Sequence, residues 1–138
     1  MMFDTQAFMD GAGQFLLAFG MAAAVLIVFK FLYQMATPYN ELKLIREGCT
    51  PAAVTLSGAM IGFAIPVFKS LTQATSPVEF LAWAVLAGII QILAFLIVRA
   101  VVVKDLAARI ERGELSVGIY LAAISITVGL LNAASMSE

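Results

Sequence analysis

A chain of 138 residues without a single histidine must do any chemistry with its one cysteine, its nine carboxylates or its neutral polar groups. Cys49 has no imidazole to take its proton, so it lacks the base of a nucleophilic dyad, and alone it closes no internal disulfide. Glu41, Glu47, Asp105, Glu111 and Glu114 are interleaved with basic residues at helical spacing, which reads as solvated, ion-paired faces rather than a paired acid and base. The sequence carries no glycine-rich phosphate loop, Walker lysine or metal-ligand spacing. It predicts no enzyme, no metal and no cofactor.

The neutral polar and small residues remain. Gly58 and Gly62 form a GxxxG element beside Ser57 and Thr55, and it would let another backbone approach closely. Pro66 removes the helical partner of a carbonyl one turn earlier, near Gly62, and so offers a free acceptor. Gln91 stands in the middle of an apolar run, where its amide must find a partner inside the protein. Gly118, Ala122, Ser125, Gly129 and Asn132 recur at alternating spacings of four and three, one stripe on a helix. The candidate residues are therefore Ser57, Gly58, Gly62, Pro66, Gln91, Ser125, Gly129 and Asn132, set either to pack helices or to line a pathway.

The elements that must position them follow from composition. Apolar residues make up 62% of the chain and charged residues 12%, which is too little charge for a water-facing surface and makes the bilayer the main solvent. Crossing about 30 Å of hydrocarbon takes around 20 apolar residues. Four such spans are predicted, at residues 13–35, 51–71, 77–103 and 116–134, giving an all-α membrane protein. Lys30, Lys69 and Arg99 lie near span ends, where long stems reach the headgroups. The first span follows Asp4 and Asp10 with no basic residue, unlike a cleaved signal peptide, and is expected to stay.

Thr50-Pro51 and Ser76-Pro77 each pair a capping hydroxyl with an early proline, and Glu79 completes a capping box. Residues 37–48 read as a short interfacial helix closed by Gly48. Pro38 should bend the chain after the first span. Residues 101–112 contain neither proline nor glycine, which predicts that the third span continues as one helix past Lys104 to about Glu111.

Sliding the chain by 65 residues superposes Ile45, Gly48 and Leu56 on Ile110, Gly113 and Leu121. Two tandem two-span repeats in parallel orientation, 1–72 and 73–138, are expected to form one compact membrane domain. Lys30, Lys43 and Arg46 flank the first connector, and Arg99, Lys104, Arg109 and Arg112 the third. Of the eight basic residues only Lys69 lies on the other side, so the connectors are expected in the cytoplasm and both termini in the periplasm or outside.

Several strings together carry a family likeness: Thr37-Pro38-Tyr39-Asn40-Glu41, Ser57-Gly58 with Ile61-Gly62 and Ile65-Pro66, Ala82-Trp83, Gln91 followed by Arg99, and Asn132-Ala133-Ala134. Over nearly the whole chain they resemble the YjfL-type inner-membrane proteins, the domain-of-unknown-function family 350. The resemblance implies a small four-span protein of the inner membrane, built from a duplicated two-span unit, with a role in the cell envelope and no established activity. The second half lacks equivalents of Pro38, Pro66 and the glycine pair, so no motif residue is carried from one half to the other.

These observations lead to an expected non-enzymatic, homo-oligomeric membrane scaffold whose partners are the bilayer and a cytoplasmic peripheral protein, met by the basic face of Lys43, Arg46, Arg99, Lys104, Arg109 and Arg112. The balanced charge offers nothing to nucleic acid. The alternative is an oligomeric channel or transporter for a small solute or ion, with Gln91, Ser125 and Asn132 facing the pathway. A membrane-embedded enzyme would need a ligand to supply what the side chains lack. A reporter that fluoresces only in the cytoplasm, fused after Glu138, should stay dark; bright fluorescence would reverse the orientation.

Overall fold

The computed structural model describes residues 2–136, and among them every regular element is helical: α1 Thr5–Ala36, α2 Glu41–Arg46, α3 Thr50–Gln73, α4 Pro77–Val101, α5 Leu106–Glu111 and α6 Leu115–Ser135. By length and apolar composition α1, α3, α4 and α6 are each able to cross a membrane. The short helices α2 and α5 lie in the two connectors. Each half therefore runs long helix, six-residue helix, long helix.

Local chemistry places most helix ends. The Asp4 carboxylate accepts from the Ala7 N–H at 3.0 Å, and the Asn40 amide oxygen from the Lys43 N–H at 3.2 Å. Ser76 accepts from the Glu79 N–H at 3.2 Å, while the Glu79 carboxylate reaches past Ser76 to the Thr75 N–H at 3.3 Å. At α3 the expected Thr50 cap is replaced: Cys49 occupies the cap position, and its thiol donates to the Ile110 carbonyl at 3.3 Å. Thr37, which precedes Pro38, is extended and ends α1, because a proline disfavours helical backbone in the residue before it. Gly48 and Gly113 close α2 and α5 with φ of +87° and +84°, a conformation that a Cβ disfavours.

The long third helix does not form. Residues 102–105 break it: the Val102 and Val103 N–H groups both bond the Val98 carbonyl, and Asp105 adopts a left-handed φ of +57°. A run of three valines is a weak helix former, and a straight helix would carry Leu106 and Ile110 into water. Folding back buries Val103, Leu106 and Ile110. Left-handed backbone costs about 1–2 kcal/mol, whereas each large aliphatic side chain buried returns roughly 1.5–3 kcal/mol, so packing decides the break.

The most extensive interface is α3 against α6. A Cβ on Gly58 would fall on Ala122, one on Gly62 on the Ser125 backbone, one on Gly129 on the Gly62 carbonyl, and one on Gly118 within 2.7 Å of the Pro51 carbonyl oxygen. The Gly62 carbonyl is the one that Pro66 deprives of its helical partner, and it fills the space Gly129 leaves. Helix α1 stands apart, with Phe29 and Tyr33 as its buried residues. These two reach the bundle through ring contacts, Phe29 on Phe63 at 4.2 Å and Tyr33 edge-on to Phe95 at 4.9 Å between centroids. An apolar groove of about 380 Å³, with Phe29 and Phe63 in its walls, opens between α1 and α4. Gly62→Ile or Gly129→Ile should destabilise the detergent-solubilised protein by about 3 kcal/mol through overpacking of backbone contacts, whereas Leu93→Ile, on the exposed face of α4, should leave thermal unfolding unchanged.

Candidate functional site

The neutral polar candidates meet at one level inside the bundle. Asn132 on α6 donates to the Gln91 side-chain oxygen at 2.9 Å and to the Ala87 carbonyl at 3.3 Å. Gln91 on α4 in turn donates to the Ser125 carbonyl on α6 at 3.2 Å. Gln91 and Asn132 are both buried, and Gly62, Gly129 and Pro66 pack against the same seam. The carbonyl freed by Pro66 is not the acceptor for Gln91, because it is pressed onto Gly129 instead. Ser125 contributes its backbone rather than its hydroxyl. Ser57 falls outside the junction, exposed on α3, because it is one residue, and so about 100°, away from the Gly58 and Gly62 stripe. Both amide nitrogens and the Gln91 oxygen thus find partners inside the protein, as hydrocarbon requires.

Both connectors lie at one end of the bundle. Cys49 to Ile110 links them, and the Arg99 guanidinium donates to the Ala36 carbonyl at 3.0 Å, tying the C-terminus of α1 to α4. Arg99 is thus half-buried and occupied, while Lys43, Arg46, Lys104, Arg109 and Arg112 are exposed. Arg109 and Arg112 both pair with Glu114. An open cleft of about 510 Å³ lies between the Gly48 and Gly113 turns, walled by Glu47, Cys49, Glu111 and Arg112.

Sequence reasoning misplaced one carboxylate. Glu41 does not belong to a solvated, ion-paired face: it is 1% exposed, and neither oxygen has a hydrogen-bond partner. The Tyr33 and Tyr39 hydroxyls are likewise buried and unpartnered. Thr55 on α3 is buried too, and its hydroxyl donates to the Pro51 carbonyl at 2.9 Å. Burial pushes the Glu41 carboxyl up to about 8, against smaller opposing effects of the Tyr39 hydroxyl and the Lys30 ammonium. Burial and the Glu41 charge raise the Tyr39 phenol as well. A signal for this was present in the sequence: Glu41 shares its helix face with Leu44 and Ile45, the apolar positions three and four residues on.

Four apolar helices of crossing length, joined by a buried polar junction between α4 and α6, define a small multi-pass membrane protein. A family model described as Domain of Unknown Function (DUF350) matches residues 7–136, and the chain belongs to that family. The UPF0719 inner membrane protein YjfL of Escherichia coli (strain K12) is 32% identical over 119 residues, which cover 86% of this chain and 89% of that protein. The protein of the same name from Escherichia coli O157:H7 matches with the same figures. No solved structure matches the chain. The protein is accordingly an integral inner-membrane protein of this family.

Gln91→Leu removes a donor and an acceptor together and should lower stability by about 1–2 kcal/mol in thermal unfolding. Adding Asn132→Leu should cost less than it does alone, since the two amides act as a pair; a double-mutant cycle measures that coupling.

Proposed function

We propose that the protein is a non-enzymatic membrane scaffold that self-associates through α1 and offers its two connectors to a peripheral protein at the cytoplasmic face. The observation that carries this reading is the contrast between the inner helices and α1. The amides and close-packing glycines of α3, α4 and α6 are matched to one another within a single copy. On α1, by contrast, Gly11, Gly13 and Gly20 face open space, and Gly13, Gly20 and the exposed Ala24 repeat at seven and four residues. Lipid solvates an apolar helix as well as another helix does, so association in the bilayer depends on such small faces, where backbones can approach.

The same junction argues against the pathway reading. A channel or transporter would need Gln91, Ser125 and Asn132 to face an aqueous route, whereas the Gln91 amide and the Asn132 amide nitrogen bond each other and helix carbonyls. The orientation with cytoplasmic connectors and outer termini rests on the clustering of basic residues at one end, where each exposed Lys or Arg is worth about 1 kcal/mol against anionic headgroups. Tandem duplication over 1–72 and 73–138 is supported by α2 and α5, both six residues long, and by the left-handed glycines that close them, Gly48 and Gly113.

Light scattering of the protein in detergent and in lipid nanodiscs should give a multiple of the monomer mass, which Gly13→Leu with Gly20→Leu shifts to the monomer without loss of thermal stability. A monomeric parent protein would remove the self-association, and ion flux through reconstituted bilayers would replace the scaffold by the pathway.

A further inference from the structure

Where α1, the first connector and α3 meet, both carboxylate oxygens of Glu41 and the hydroxyls of Tyr33 and Tyr39 are buried without a well-formed hydrogen bond, and the Tyr39 hydroxyl is close enough to favour the ionised Glu41. One buried polar atom without a partner costs about 1–3 kcal/mol and is uncommon; four in one cluster require something that lowers that cost. The chemistry of the cluster says what. Among the described residues no group of three His, Cys, Asp or Glu could hold a metal ion, and Glu41 is the one buried carboxylate. The charge facing it from α1 is the half-buried Lys30, whose ammonium lies 5.2 Å from the centre of the Phe31 ring. Tyr33 faces it from α1, Tyr39 and Cys49 from the connector, and Thr55 from α3, whereas Lys43, Arg46 and Glu47 of its own segment are exposed. A proton is the smallest occupant that removes the buried charge. It also gives the carboxyl a donor, so that with the two phenols the group holds three O–H donors for its own oxygens.

We infer that the buried cluster of Tyr33, Tyr39 and Thr55 makes Glu41 a proton-binding site, and that loss of the proton to bulk water releases α2 from the bundle. Glu41 is the first residue of α2 and lies on the face that carries Leu44 and Ile45 onto the core. An ionised Glu41 is stable only in water, and α2 must leave the bundle to bring it there. The sign follows from linkage: the docked carboxyl titrates near 8 and the undocked one near 4.5, so the contribution to docking is complete below about 4.5 and lost as pH rises through about 8. Lys43 and Arg46 leave with the segment, so the basic surface at this end changes with pH.

Infrared difference spectra of the full chain in lipid nanodiscs, titrated from acid to alkaline pH, test this directly. The carbonyl band of a protonated carboxyl should disappear with a midpoint of about 8 and be missing in Glu41→Gln, which keeps the shape of the neutral acid. Tyr39→Phe, which takes a hydroxyl away from the carboxylate, should move the midpoint up. Hydrogen exchange of the α2 amides, taken relative to Glu41→Gln, should rise about tenfold per pH unit across the window. Exchange that tracks Glu41→Gln at every pH would overturn the release of α2. A band that never appears, or a midpoint that shifts when sodium replaces choline, would overturn the proton as the occupant.

Discussion

The contact between the Gly62 carbonyl and Gly129 sets the distance between α3 and α6, and the rest of the bundle depends on that distance. Inside a bilayer, apolar side chains gain little by leaving lipid for protein, so helices are held by van der Waals contact of backbones and by polar groups. Pro66 takes away the helical partner of Gly62, and the absence of a Cβ at Gly129 gives the freed oxygen a place to go. The bare backbone at Gly62 also leaves room for the Gln91 amide nitrogen, which would lie 3.2 Å from a Cβ there, and Gln91 bonds Ser125 and Asn132 on α6. The polar junction and the close approach meet at the same glycine, Gly62.

At the connector end, water is nearby and the balance of forces changes. Leu106 and Ile110 are buried at the expense of a left-handed Asp105, a trade that ordinary hydrophobic burial explains. Glu41 is buried with them in spirit but not in energy, since a carboxylate gains nothing from a dry chamber. A bundle that keeps such a group inside keeps it protonated or lets it out. The exposed bases Lys43, Arg46, Lys104, Arg109 and Arg112 surround this end, so any movement of α2 alters the face offered to headgroups or to a protein.

Helix α1 gives the molecule its asymmetry. Its attachment is through Phe29, Tyr33 and the bond from Arg99 to Ala36, all in its second half, while the first half carries exposed Phe15, Leu16, Leu17 and Phe19. The groove between α1 and α4 belongs to the same loose association. Aromatic stacking at one end and open small residues at the other leave most of α1 unburied.

The spans, the Ser76 cap and the bend at Pro38 were legible in the sequence because each depends on a few adjacent residues: a run of apolar side chains matched to bilayer thickness, a Ser before a helix, a proline that disfavours helical backbone in front of it. The stripes of Gly58 with Gly62 and of Gly118, Gly129 and Asn132 were visible as helical periodicity, which tells which residues share a face and leaves open what that face meets. Tertiary structure decided the rest. Gln91 found Ser125 and Asn132, 34 and 41 positions away, and residues 102–105 broke a helix that nothing local forbids, because Ile110 had a core to enter. Glu41 turned inward for the same reason: the short helix that carries it had to dock its Leu44 and Ile45, and a rigid helix cannot bury two neighbours on a face and leave the third outside.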